Sequence, residues 1–294
     1  MVLIQSFQQP TGLPEWLAIA GVFVFGALVG SFVNVVIHRV PLGKSIVFPN
    51  SHCPRCGVAI KPYDNIPIAS WVILGGRCRA CREGISFRYP LVELLNAFLW
   101  LGVYLYAGFT PILPVFLIFT SVMLALMHID AEHMILPNAI TYPFFIFAIF
   151  SRIVIPAISG RLMFPDDNVW PAFELIEYGS VAVSIVLASL GAIAGGGSLW
   201  FVGEIWKRLR GVEAMGLGDV KMMFGVGALL GWRLTLLSIF IAAFSGAVIG
   251  IAVIAAQKEK NLQRQIPFGV FLGAGAIVSL LFGQRLLEWY LSAF

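Results

Sequence analysis

The chain has 294 residues, of which 59% are hydrophobic and 12% charged, and its formal net charge is +4. Soluble domains average about 45–50% apolar and about 25% charged residues, so the shortage of charge excludes that class and indicates an all-α polytopic membrane protein. All four cysteines fall between residues 53 and 81, which excludes a disulfide framework spread along the chain.

Residues 1–14 contain no Lys or Arg, which argues against a cleavable signal with a basic start. Residues 16–37 form an uncharged run closed by Arg39 and Pro41. As a helix this run rises about 33 Å, enough for a hydrocarbon core of about 30 Å. Residues 38–90 differ in composition: Arg39, Lys44, Arg55, Lys61, Arg77, Arg79, Arg82 and Arg88 stand against two acids, Asp64 and Glu83. The positive-inside rule makes this insert cytoplasmic and sends the first helix from outside to inside. That topology accounts for the basic balance, and nucleic-acid binding is not expected.

Apolar spans are predicted at 91–108 and 111–129, joined by the short uncharged link Phe109-Thr110. A polar stretch, 130–138, returns to the cytoplasmic face, and the next span covers 139–155. Residues 156–178 read as an external loop, in which Asp166, Asp167, Glu174 and Glu177 outnumber Arg161 and Trp170 suits an interface anchor. A span at 179–202 leads inward to a cytoplasmic loop marked by Lys207, Arg208 and Arg210. Residues 220–230 are short for a full crossing and read as a tilted or partly buried helix, with a turn at Gly231-Trp232-Arg233. Spans at 234–256 and 267–281 flank a last cytoplasmic loop holding Lys258, Lys260 and Arg264. The total is about eight transmembrane helices with both termini outside, lying against membrane lipids, and one small cytoplasmic insert.

Within the insert, Cys53-Pro54-Arg55-Cys56-Gly57 and Cys78-Arg79-Ala80-Cys81 form two Cys-x-x-Cys pairs with 21 residues between the inner cysteines. Each tight turn supplies two thiolates, and two turns complete a tetrahedral shell of four sulfurs for structural Zn2+. Gly57 suits the turn after the first pair because it tolerates φ > 0. Two disulfides are the competing reading, disfavoured in the reducing compartment that the basic flanks indicate. A redox pair is disfavoured too, since no βαβ pattern surrounds it. With four protein ligands the site is closed and carries no chemistry of its own, but it supplies folding free energy to an insert with little core.

The motif Met215-Gly216-Leu217-Gly218-Asp219-Val220-Lys221 places an ionisable side chain at the mouth of an apolar segment, which is costly and therefore a functional candidate. Its counterpart is Asp130, which ends an apolar span on the same predicted side. Both carboxylates fall at one membrane depth. A close pair keeps one proton between them, so that one acid serves as general base toward water and the other as general acid toward the carbonyl and leaving amine. His128, Glu132 and His133 suggest a metal site, but the five-residue spacing of the histidines does not put them on one helix face, and polar boundary residues are the simpler account. Glu93 reads as an acid snorkelling to the interface. Lys221, beside Asp219, is open to either lowering the acid's pKa or binding headgroups.

Together these residues resemble the bacterial type IV prepilin peptidases, membrane aspartic proteases of the Gly-x-Gly-Asp type that also act as N-methyltransferases. The resemblance rests on Gly30-Ser31-Phe32-Val33-Asn34 through His38-Arg39-Val40-Pro41, on both Cys-x-x-Cys pairs, and on Asn65-Ile66-Pro67 and Ser70-Trp71. It also includes Arg88-Tyr89-Pro90-Leu91-Val92-Glu93, Ile129-Asp130, Leu136-Pro137 and Gly216-Leu217-Gly218-Asp219. It implies that Asp130 and Asp219 are a catalytic pair and that 91–294 is the protease core. The remaining domains would be the first transmembrane helix, 1–37, and a methyltransferase-associated zinc insert, 38–90.

The implied substrates are prepilins and pseudopilins with a short basic leader, cut at the cytoplasmic face of the inner membrane for pili or a type II secretion system. The new N-terminus is then methylated with S-adenosyl-L-methionine as donor. Gly216 and Gly218 would let extended substrate backbone approach Asp219. Asn138 departs from the family's usual Leu-Pro-Asp, which puts a leader-binding role for that acid in doubt. No Gly-rich nucleotide fingerprint is visible, so residues that hold the methyl donor are not assigned. Two alternatives stand beside this reading: an ion-coupled transporter, and a non-catalytic zinc-bearing membrane assembly protein.

Overall fold

A computed structural model describes residues 14–160, 162–165, 180–212, 215–256 and 267–292. The described residues form helices and turns with no β-strand beyond two isolated bridges. Among the described residues, seven helical stretches are long and apolar enough to cross a membrane. Of the external loop expected at 156–178, residues 156–159 instead continue the preceding helix, while Arg161 and the acidic stretch with Trp170 lie outside the described residues, as do residues 1–13 and the basic loop with Lys258, Lys260 and Arg264. The chain divides into two compact units, Met1–Ala125 and Leu126–Phe294.

The first unit is built on α1 (Glu15–Arg39) and α3 (Arg88–Ala107), with the short α2 (Ala69–Ile73) between them in sequence. Gly26 and Gly30 let the two long helices meet backbone to backbone: a Cβ on either would lie 2.8 or 2.7 Å from the Cα of Ala97 or Glu93. Buried polar side chains at this seam bond to nearby groups, as burial favours, although Asn34 Oδ1 has no partner among the described residues. Asn96 donates to the Gly26 carbonyl (2.7 Å) and accepts from Ser121, while Asn34 donates to the Tyr89 carbonyl (3.0 Å). Glu93 does not snorkel. It is buried, and its carboxylate accepts the Ile68 N–H at 2.7 Å, so it clasps the insert's chain where Ile68 adopts a left-handed φ of 60°.

The helix α4 (Leu113–His133) enters the second unit with its last turns, followed by α5 (Asn138–Ser159), α6 (Ser180–Ala192), α7 (Ser198–Arg210), α8 (Leu217–Leu230), α9 (Trp232–Ala256) and α10 (Phe268–Ser292). A π-helical turn, Ile193–Gly197, fuses α6 to α7. Lys207, Arg208 and Arg210 therefore sit on the last turns of a continuous helix and not in a loop. The helix does not stop at 202 but runs on to Arg210, where Gly211 caps it with a left-handed φ of 69°, and the three consecutive glycines at 195 to 197 widen it by an extra residue without breaking it. Exposed Trp200 and Trp206 occupy the stretch where this long helix would leave the hydrocarbon.

The helix α8 is the centre of the second unit, packed among α5, α6, α9, α10 and the π turn. Its 14 residues span about 21 Å, short of a hydrocarbon core of about 30 Å. The expectation of a short buried helix at 220–230 thus holds. Gly191 and Gly227 meet at their backbones, Gly195 lies against the Met223 carbonyl and Gly196 against the Phe224 ring. Such small-residue contacts let helices approach closely where no hydrophobic effect drives them together. At the far end of α8, the fully buried Arg152 of α5 donates from Nε to the Ala228 carbonyl (2.9 Å), and its guanidinium lies 3.9 Å from the centre of the Phe164 ring.

Candidate active site and four-cysteine cluster

In the first unit, both Cys-x-x-Cys pairs fold into the same kind of knuckle. Cys53 N–H donates to the Val58 carbonyl and Gly57 N–H to the Cys53 carbonyl (both 2.9 Å); Cys78 N–H donates to Glu83 (2.8 Å) and Arg82 N–H to Cys78 (3.0 Å). The residue after each second cysteine is left-handed, Gly57 at φ 71° and Arg82 at φ 59°. The four sulfurs of Cys53, Cys56, Cys78 and Cys81 all lie within 4.8 Å of one another, with 3.7 Å between Cys53 and Cys81, and none forms a disulfide. A zinc tetrahedron with bonds of about 2.3 Å needs sulfurs about 3.8 Å apart, so the donor set fits that ion.

Backbone N–H groups of Cys56 and Arg55 beside the Cys53 sulfur lower its thiol to about 6. Cys81, although it receives the Glu83 N–H, is desolvated and faces the other three sulfurs, and its thiol is pushed up to about 12. A bound cation would relieve the crowding that causes this spread. Below the cluster, Arg79 grips Asp64 with both Nε and Nη2 (2.6–3.0 Å), which holds that carboxyl below the usual carboxylate range.

In the second unit, the sequence places Asp219 in the first turn of α8, after an N-cap at Gly216 with extended ψ. Asp130 lies near the end of α4, which Met134 closes with a left-handed φ of 54° and an N–H bond back to the Asp130 carbonyl (2.8 Å). These two helix ends bring the carboxylates to opposite sides of one glycine. A Cβ built on Gly269, in the first turn of α10, would stand 2.8 Å from Asp130 Oδ2 and 3.2 Å from Asp219 Oδ1. The two oxygens are therefore no farther apart than the sum of those distances. Backbone N–H groups of Gly269 and Val270 face the Asp130 carboxyl group, while Asp130 Oδ2 accepts no hydrogen bond among the described residues. Asp130 is buried and Asp219 half-buried, so the pair is shielded on one side and open on the other.

The two glycines of the Gly-Leu-Gly-Asp motif differ. Gly216 is exposed, and its open side faces Asp219 Oδ2 at 3.3 Å; the space beside Gly218 is filled by Leu136, 2.9 Å from where a Cβ would be. The motif and Leu136-Pro137-Asn138 are thus packed together. Lys221 donates to Asn138 Oδ1 (3.0 Å) and lies 5.2 Å from the Tyr142 ring centre, so its local partners are on α5. His133 and Glu132 are exposed, and among the described residues the only cluster of metal-ligating side chains is the four cysteines. Sequence reasoning missed Gly269 and Arg152. The first carries no mark in the sequence beyond Pro267 opening a helix; the second was visible as a lone cation inside an apolar run.

Comparison with known proteins decides the family. Residues 24–107 match the model of the bacterial peptidase A24 N-terminal domain, and residues 117–251 match that of the type IV leader peptidase family. A prepilin leader peptidase/N-methyltransferase of Aeromonas hydrophila is 35% identical over 96% of this chain and 97% of its own. Proteins of the same description from Pseudomonas aeruginosa and Burkholderia pseudomallei are 34% and 31% identical over 91% and 92% of this chain. The chain belongs to the type IV leader peptidase family. No solved structure matches it. The two family models divide the chain at residues 107–117, between the part that carries the cysteine cluster and the part that carries both aspartates.

Proposed function

We propose that this protein removes the leader from prepilins and pseudopilins by aspartic-protease chemistry and then methylates the new N-terminus. The observation that carries the first reaction is the meeting of the Asp130 and Asp219 carboxylates against Gly269. One carboxylate, ionised, takes a proton from water as the water oxygen attacks the scissile carbonyl carbon. The other, protonated, donates to the carbonyl oxygen, giving a tetrahedral diol. Collapse of the diol breaks the C–N bond, with the proton held by the first acid passing to the leaving nitrogen. No covalent intermediate with the enzyme forms. The exposed Gly216 is the side from which substrate backbone reaches Asp219, whereas Gly218 serves the packing of Leu136.

The eight Lys and Arg residues of the insert support a cytoplasmic position for it in the inner membrane. A basic leader stays on that same side for the same reason. The four cysteines would hold a structural zinc ion that fixes both knuckles and takes no part in the chemistry. S-adenosyl-L-methionine supplies the methyl group in the second reaction, which we assign to the part of the chain holding the insert; no residue is assigned to the donor.

The test is to incubate the purified protein with a synthetic prepilin, with and without S-adenosyl-L-methionine, and to read both product masses. Asp130→Asn and Asp219→Asn should each lower cleavage by about 10²–10⁴-fold or more, while a pre-cleaved pilin is still methylated. Full leader processing by both variants would overturn the assignment and favour an assembly or transport role for the two acids.

A further inference from the structure

We propose that Gly269 is a positioning residue of the peptidase, setting the separation and aim of the two carboxylates; this rests on the Asp130–Asp219 reading above. Among the described glycines, Gly269 is the one whose missing side chain faces both acids. It lies in the first turn of α10, is itself buried, and has no unusual φ that would explain a glycine by backbone conformation. The explanation left is space.

A methyl group there would sit 2.8 Å from Asp130 Oδ2, 3.1 Å from Asp130 Cγ and 3.2 Å from Asp219 Oδ1. Carbon and oxygen atoms that are not bonded prefer to stay beyond about 3.3 Å, so both side chains must move or α10 must retreat. Asp130 has little room to move because it is buried and faces the N–H groups of Gly269 and Val270. The same residue thus does two things. Its backbone presents a donor to one acid, and its absent side chain keeps the shared space between the acids free for a water molecule and the scissile carbonyl. Misplacement of reacting groups by about 1 Å costs on the order of 100-fold in rate, and an added methyl forces a shift of several tenths of that.

A positioning role of this kind separates turnover from binding. A substrate with a leader and an apolar helix would touch the protein well beyond the scissile bond, whereas Gly269 faces the two carboxylates. Gly269→Ala should therefore lower kcat for leader cleavage by at least 10-fold and leave KM within about twofold, and Gly269→Val should lower kcat further. Thermal unfolding and methylation of a pre-cleaved pilin should be unchanged in Gly269→Ala. Gly246→Ala is the control, since a Cβ there meets Phe271 of the same α10 at an ordinary 3.6 Å; it should cleave at the wild-type rate.

The experiment measures these quantities for purified full-length protein in parallel with Asp130→Asn and Asp219→Asn. Inactive Asp variants together with a selective kcat loss in Gly269→Ala support the proposal. Inactive Asp variants with wild-type turnover in Gly269→Ala overturn it and leave the dyad intact. A Gly269→Ala variant that loses turnover, methylation and thermal stability together also overturns it, because glycine is then needed for folding. Cleavage by both Asp variants removes the dyad itself.

Discussion

Between residues 40 and 87 only Cys53, Ser70 and Gly76 are buried, whereas α8 exposes only Leu217 along its whole length. The insert has almost no core and is ordered by turns that aim four sulfurs at one point. The helix α8 is ordered by contact alone, with Val220, Met222, Met223, Val226, Leu229 and Leu230 enclosed by neighbours and glycines at its closest approaches. One region is defined by what it would bind and the other by what it excludes. They should therefore fail under different insults.

The largest effect should come from chelation. Structural zinc supplies about 10–16 kcal/mol of apparent binding free energy in small zinc-folded domains, so stripping the metal should unfold the insert while α8 stays protected. Hydrogen–deuterium exchange read by mass spectrometry should show full exchange at 51–86 and unchanged protection at 220–230. Acidification should act in the same direction, because metal-bound cysteines must be thiolates and lowering pH returns the proton. Loss of protection in both regions together would break the contrast.

The converse insult is Gly227→Val. The added side chain would strike the Gly191 backbone, which has no rotamer with which to yield. Overpacking of this kind costs about 1–3 kcal/mol and more where backbone is the obstacle. Thermal unfolding should show it at the upper end of that range, with zinc content unchanged.

A smaller effect separates the two knuckles. Gly57→Ala should destabilise the insert by about 1 kcal/mol, because a left-handed residue with a Cβ is strained although nothing lies within 4 Å. Arg82→Gly at the matching position of the second knuckle should be neutral or stabilising. Competition for zinc with a coloured chelator would rank the variants.

Smallest of all is Asn138→Asp. Lys221 already donates to Asn138, so the change turns a neutral acceptor into an ion pair on the surface, which is worth about 0–1 kcal/mol. Thermal unfolding at low and high salt should show the gain shrinking as salt rises. A large, salt-independent change would mean that the pair is less exposed than it is here.

Much of this was readable in the sequence because membranes reward length and composition directly. The apolar runs at 16–37, 91–108, 111–129 and 139–155 and the cysteine pairs each announce a local constraint, and each became the expected element. Asp130 and Asp219 were placed at one depth by topology, but depth does not give distance. They converge against Gly269, which is 50 residues beyond Asp219 and obeys no local pattern. Glu93 was misread because its position near a span end looks the same whether its carboxylate reaches water or a buried Ile68 N–H. The helix beyond 202 was hidden for a related reason: Lys207, Arg208 and Arg210 look the same in a cytoplasmic loop as on the last turns of a helix that has left the hydrocarbon.

The buried bond from Arg152 to the Ala228 carbonyl bears on how the chain enters the bilayer. Alone, α5 carries a cation whose insertion costs about 2.5–3.5 kcal/mol near a helix centre, and α8 alone is about 9 Å too short to cross. Docked, the guanidinium answers the electronegative end of the short helix. The two are 76 residues apart, so α5 must wait for α8 to leave the ribosome before its charge has this partner. The bond from Arg152 to α8 is therefore one that α5 gains only after the later helix has been made.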